Sequence, residues 1–370
     1  MIKDLTQLEI PRLPEIFNLT DGHAHRPLSE AERGITDKLS ELFSSVDREQ
    51  QPVLEDAYVT AFYALTHQTV DKDKTQYLFL PSASISLEII ANYVRLNKMS
   101  LALTEPCFDN LANIFMRHDI PLESISDVYL EMDGWGGRLE SIRSDVICIV
   151  SPNNPTGIAY TQANFEQLVA YCKKENKLLI LDTSFRAYRP ADSIFDEYKY
   201  LQESGIDYMV VEDTGKTWPT KELKTSILAV SPSLYKQVFN IYTDFIYHHS
   251  PFVIKLLTKL IDNSAADGLQ SVHSIVETNR KALSEAVEGT ILESLQKKYT
   301  SVAWLAVKSE MTATEVAAKL AEDDIFVLPG NHFFWSDKSL GNKFIRVALV
   351  RDPALFGAAA KRLRSTLLVI

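Results

Sequence analysis

The chain has little cysteine, no long apolar run and no surplus of positive charge, and each shortage narrows its function. Three cysteines in 370 residues, Cys107, Cys148 and Cys172, stand far apart. They show no metal-ligand spacing and imply no disulfide framework, which fits a reducing cytoplasm. No apolar stretch approaches the ~18 residues that a membrane span needs. Residues 1–20 hold Lys3, Asp4 and Glu9 among apolar neighbours, so no signal-peptide core is expected there. The formal net charge is -11. That argues against broad binding to nucleic acid or an anionic membrane, and it suits a cationic small substrate. Internal repeats and low-complexity tracts are lacking too.

What remains is an ordinary globular composition, 46% hydrophobic and 24% charged. The length suggests two or three domains. Apolar runs at 77–80, 100–103, 145–150, 177–181, 208–211 and 227–230 read as strands. Several are apolar throughout, as strands covered on both faces are. Helical patterns lie between them, at about 29–46, 52–68, from 85 onwards, 162–175 and 194–204. Long helices at 252–264 and 268–295 follow, then strands at 302–307, 325–328 and 344–349. The expected fold class is α/β, with a mostly parallel sheet binding its ligand at the strands' C-terminal ends. A smaller α+β C-terminal domain completes it. The expected division is an arm over 1–25, a large domain over 26–250 and a small one over 251–370. Pro11 and Pro14 break the arm. It has few apolar anchors and is expected to be mobile without substrate.

The stretch around which the chain is organised follows the strand Tyr208–Val211. Lys216 sits just past it beside Gly215, where the backbone can turn sharply, and Lys224 lies eight residues further on. A lysine so placed can form a Schiff base with an aldehyde; a lysine-bearing surface loop is the plain alternative. Two other strand ends carry polar residues: Asn154-Pro155-Thr156-Gly157 after 145–150, and Asp182 after 177–181. Ser82, Ala83 and Ser84 open a helix after 77–80. They are simple N-caps, or they leave free N–H groups for a phosphate.

The ordered set of Asn154-Pro155-Thr156-Gly157, Asp182, Lys216 with Lys224, and Arg346 near the C-terminus resembles the fold-type-I enzymes of pyridoxal 5'-phosphate (PLP). These form the aspartate aminotransferase superfamily, and the resemblance runs from about residue 30 to the end. It implies an imine between Lys216 and the cofactor, and Asp182 paired with the pyridine nitrogen. Asn154 would bind the ring's phenolic oxygen, and Phe108 would stack on the ring. Ser82, Ala83, Ser84 and Lys224 would hold the phosphate, and Arg346 would clamp the substrate carboxylate. Two departures stand out. Phe185, preceded by Ser184, occupies the place of the superfamily's usual tyrosine, which implies a different environment around the ring; Ser184 joins the expected cofactor contacts. Lys224 replaces an arginine.

The stretches Leu5-Thr6-Gln7, Asp21-Gly22-His23-Ala24, Asp182-Thr183-Ser184-Phe185-Arg186 and Glu212-Asp213-Thr214-Gly215-Lys216 resemble a narrower family. It comprises the PLP- and dioxygen-dependent arginine oxidases and hydroxylases of natural-product biosynthesis, of the enduracididine, azomycin and indolmycin type. That resemblance implies a homodimer and an N-terminal arm closing over L-arginine. Thr6, Glu9, Asp21 and Asp213 would lie near the guanidinium, and His23 near the reacting carbons. Physics supports the acids in part, because a buried guanidinium needs carboxylate partners. Oxidation by dioxygen through quinonoid intermediates would give 4,5-dehydro-2-iminoarginine or 2-keto products, including 4-hydroxy-2-ketoarginine, with hydrogen peroxide. The imine product points to a downstream imine-processing enzyme as a partner. No metal is expected. The alternative is a conventional aminotransferase acting on arginine or a related amino acid.

Overall fold

A computed structural model describes residues 4–295 and 300–370. Its centre is a seven-stranded sheet: β1 Gln76–Leu80, β2 Leu101–Glu105, β3 Leu122–Ser126, β4 Val146–Val150, β5 Leu178–Asp182, β6 Tyr208–Asp213 and β7 Ser226–Val230, in the spatial order β1-β7-β6-β5-β4-β2-β3. Neighbours from β3 to β6 pair in parallel, while β7 runs antiparallel to both β6 and β1. Strands β2, β4, β5, β6 and β7 are buried at every residue. Helices cover both faces, as the apolar runs required. Ile89, Ile90, Leu111 and Val238 pack on one face, and Tyr58, Phe165, Leu201 and Leu257 on the other.

A second sheet contains β8 Leu292–Ser294, β9 Val302–Val307, β10 Leu328–Pro329 and β11 Phe344–Ala348, all antiparallel, in the order β10-β11-β9-β8. Arg346 on β11 faces Trp304 and Leu328 across the ladder.

Several expectations are corrected. The helix expected over 268–295 spans Gln270–Val287. Gly289, at φ 71°, then turns the chain into β8. The run 325–328 divides, because Ile325–Phe326 pairs in parallel with Phe17–Asn18 while Leu328–Pro329 joins the second sheet. The pattern over 29–46 splits at Asp37–Lys38 into helices Glu30–Thr36 and Leu39–Ser45. Strand β3 and the helix Pro232–Phe245 were not anticipated.

The arm is also better anchored than its sequence suggests. Helix Leu5–Glu9 seats Leu5, fully buried, among Trp304, Leu328 and Phe333. The Leu5 N–H donates to Asp109 Oδ2 at 2.9 Å. The anchors were hard to see because they are a single leucine, one short strand and polar contacts. No helix among the described residues is long and apolar enough to cross a membrane.

Candidate active site

The loops after β1, β2, β4, β5 and β6, the arm and β11 enclose one cavity of about 1020 Å³. Every site residue anticipated from the sequence lines it. Lys216 lies three residues beyond the end of β6, as its strand-end position required. The turn before it is tight. A Cβ on Gly215 would lie 2.8 Å from Lys224 Cδ and 3.1 Å from both Asp213 Oδ1 and His23 Cδ2, so only glycine fits unshifted. The Gly215 N–H donates to Asp213 Oδ1 at 2.6 Å, and its carbonyl accepts from the Ala24 N–H at 3.1 Å. The Tyr188 hydroxyl donates to the Lys216 carbonyl at 2.6 Å.

Asp182 ends β5 and is buried. Ser184 donates its N–H (3.0 Å) and its hydroxyl (2.6 Å) to Asp182 Oδ1, so Ser184 meets Asp182 inside the protein. Burial nevertheless pushes the Asp182 carboxyl above its ordinary range, which leaves it short of a cationic partner. Asn154 is buried with Oδ1 unpartnered. Ser82 caps the helix Ala83–Leu96, accepting from the Ile85 N–H at 3.4 Å, and Ser84 Oγ accepts from Asn110 at 3.0 Å. The positive end of that helix therefore opens on the cavity. Lys224 Nζ faces it, 2.6 Å from Glu222 Oε2 and 2.8 Å from His23 Nε2. Phe108 precedes the helix Asp109–Arg117, with its ring edge-on to Phe333 at 6.2 Å.

Arg346 is fully buried. Its Nη2 donates to Glu9 Oε1 at 2.8 Å and to the Thr20 carbonyl, while Nε and Nη1 have no partner. Burial lowers the arginine's pKa despite Glu9. Burial likewise pushes Glu9 up to about 7 despite Arg346. Both groups shift against their own charge, so desolvation outweighs the pairing. Asp213 and Asp21 are buried, and Thr6 is exposed at the cavity edge. Both Asp21 oxygens carry histidines. Oδ1 meets His23 Nδ1 at 2.7 Å and the His23 N–H at 2.9 Å, and Oδ2 meets His25 Nε2.

Sequence reasoning missed His25, Glu222 and Arg351. Arg351 donates to the carbonyls of Asn18 (2.8 Å), Asp21 (2.5 Å) and His23 (3.2 Å), fixing the loop that carries both histidines. The only signals were the His-x-His spacing and an arginine five residues after Arg346.

The residues fit PLP. An acid lacking a cation, an unpartnered amide, a helix N-terminus with a lysine and a strand-end lysine surround one space. The sequence matches the profile of Aminotransferase class I and II over residues 18–363. It is 23% identical to LL-diaminopimelate aminotransferase of Phocaeicola vulgatus over 241 residues, covering 61% of this chain and 58% of that protein. The chain thus spans somewhat over half of that relative's length. The structure of MppP soaked with the product 2-ketoarginine superposes with TM-score 0.86 at 28% identity, over 94% of this chain and 98% of that one. Aspartate aminotransferase from Thermus thermophilus with maleate, at 13% identity and TM-score 0.79 over 99% and 97%, shares the fold. The chain belongs to the aminotransferase class I and II family, with the fold-type-I architecture and pyridoxal 5'-phosphate as its cofactor.

Proposed function

We propose that this enzyme oxidises free L-arginine with dioxygen. The observation that carries the reading is the make-up of one cavity. A buried arginine with two unpartnered nitrogens lines it, and so do the carboxylates of Asp21, Asp213 and Glu9, the last bonded to that arginine at 2.8 Å. Arg346 would take the substrate's α-carboxylate, and the acids its guanidinium. MppP, soaked with 2-ketoarginine, supports the same substrate class.

Bound PLP supplies an electron-withdrawing ring that acidifies the substrate's Cα–H. Asp182, braced by Ser184, would keep the ring nitrogen protonated. The helix N-terminus at Ser82–Ser84 and Lys224 would hold the phosphate. Asn154 would bind the phenolic oxygen, and Phe108 would bound the ring. Lys216, once its amine is free, takes the Cα proton. His23, with a nitrogen on the cavity side, handles a proton at Cβ or Cγ, or orients a water there. The arm, seated by Leu5 and by Glu9 on Arg346, limits entry of bulk water. Each two-electron oxidation consumes one dioxygen and yields one hydrogen peroxide. The main product in this reading is the 4,5-dehydro-2-imino compound, with keto and hydroxylated products when water intervenes. A homodimer is part of the reading.

The aminotransferase relatives favour a second reading, transamination of arginine or a similar amino acid. An oxygen electrode separates the two. Adding L-arginine without a keto acid should produce oxygen uptake and peroxide. No uptake, with turnover only when a keto acid is supplied, would establish the aminotransferase instead.

A further inference from the structure

We propose that His25 is a positioning residue that tunes the basicity of His23 through Asp21, the carboxylate that fixes the tautomer of His23. The inference rests on the reading of His23 as the proton-handling group, but its geometry stands on its own. Asp21 is buried, with its side chain 5% exposed, and both of its oxygens receive imidazole nitrogens. Burial works to raise its pKa, yet the hydrogen bonds from His23 and His25 win and hold it well below the usual carboxylate range. A carboxylate that stays ionised only accepts hydrogen bonds. Both facing nitrogens, His23 Nδ1 and His25 Nε2, therefore carry hydrogen. A neutral His23 then has its lone pair on Nε2, the nitrogen beside Lys224 Nζ at 2.8 Å. That is the nitrogen a base needs on the ligand side.

The two histidines differ in access. The His25 side chain is 44% exposed and that of His23 24%. His25 can therefore exchange protons directly with bulk water. When its second nitrogen is protonated, the imidazolium shares Asp21's charge and weakens the hold of that charge on His23. A neutral His25 leaves the charge to His23. Other charges surround the pair. Lys216, Lys224 and Glu222 face His23, the last at 4.0 Å, and together with burial the lysines lower its pKa, Lys216 most. Arg351 binds the backbone of the loop from below, and Glu9 and Arg346 lie beyond Asp21. Arg26, next to His25, is occupied by Glu32 at 2.6 Å. The arrangement is a chain, with the histidines on opposite oxygens of Asp21. Among the described residues no group of three such side chains could hold a metal ion.

The test is nitrogen-15 NMR of the imidazoles in the purified holoenzyme without substrate, read across pH. The wild type should show neutral His23 protonated on Nδ1 and titrating in two coupled steps, the second tracking His25. His25→Gln keeps a neutral donor that cannot take a proton. It should leave the His23 tautomer intact, collapse its titration to one step, and move its midpoint by roughly half a pH unit. Asp21→Asn should lose the tautomer preference. In activity, the kcat/KM profile with L-arginine should lose one inflection in His25→Gln. A neutral His23 protonated on Nε2, or the same two-step titration in His25→Gln, would overturn the proposal whatever the enzyme's substrate proves to be. Failure of oxygen uptake with an intact NMR pattern would instead overturn only the arginine reading.

Discussion

Two arginines are buried to almost the same degree in this protein, and they behave in opposite ways. Arg186, after β5, donates from Nε to Glu212 at 3.0 Å and from Nη1 to Glu197 at 2.5 Å, and Tyr198 adds a hydroxyl bond to Glu212 at 3.1 Å. Burial works against its charge, but Glu197 and Glu212 outweigh burial, and its pKa rises well above the ordinary value. Arg346 has one carboxylate and one carbonyl, both on Nη2, and its pKa falls. Arg186 also keeps one unpartnered nitrogen, Nη2, but two acids hold its charge away from the cavity, so its role is structural. Arg346 lines the cavity with one acid and two unpartnered nitrogens, and a ligand carboxylate would complete it. Glu212 and Asp213 are adjacent on β6 and serve the two regions separately, since successive strand residues face opposite ways.

The contrast predicts unequal stability losses. Arg186→Leu strands Glu197 and Glu212 in the interior and should cost roughly 3–5 kcal/mol. Arg346→Leu leaves only Glu9, which sheds its charge readily, and should cost about 1–2 kcal/mol while lowering kcat/KM about 100-fold or more. Denaturant unfolding and steady-state kinetics of the two variants check this. Equal destabilisation would show that the two clusters are the same kind of structure.

The next effect is pH-dependent. Glu9 shifts from 4.5 unfolded to about 7 folded. Below 4.5 it is neutral in both states and contributes nothing. As pH rises from 4.5 to 7 the unfolded chain ionises first, so stability falls. Above 7 the loss is complete, at about 3 kcal/mol. Glu9→Gln removes the titration, so the variant should gain on the wild type across that window and hold a constant difference above it. Parallel stability curves between pH 4.5 and 7 would show that Arg346 and the other partners of Glu9 fully offset the cost of burying its charge.

The two regions also differ in how far the sequence announces them. Lys216, Asp182, Asn154 and Arg346 were legible because strand-end chemistry needs particular residue types at particular places. Apolar runs likewise marked six of the seven central strands. The Arg186 cluster was not legible: its members are separated by up to 26 residues, and nothing in the spacing distinguishes a buried glutamate from a solvated one. Strand β3, Leu-Glu-Ser-Ile-Ser, was missed because it lies at the sheet's edge, with only Ile125 fully buried. The arm's seat was missed because it relies on one leucine meeting a pocket, Trp304, Leu328 and Phe333, built about three hundred residues later. Arg351 acts on backbone carbonyls, which carry no sequence signature at all.

The smallest expected effect lies where the incomplete region meets its cofactor. Ser184 gives Asp182 Oδ1 two hydrogen bonds, one from its backbone and one from its side chain. Both oppose the rise that burial imposes on Asp182. Ser184→Ala removes the hydroxyl and keeps the N–H, so Asp182 should rise further and present less negative charge to the ring nitrogen. The lost bond is worth about 1 kcal/mol, which corresponds to a roughly five- to tenfold weaker affinity for PLP. Titration of cofactor-free protein with PLP, followed by tryptophan fluorescence, reads this directly, and Ser184→Thr should restore the affinity. The thermal midpoint of the cofactor-free variant should change little, because the bond matters most once a cation faces Asp182. If Ser184→Ala bound PLP as tightly as the wild type, the hydroxyl would only brace the turn after β5, and the backbone N–H alone would suffice to keep Asp182 charged.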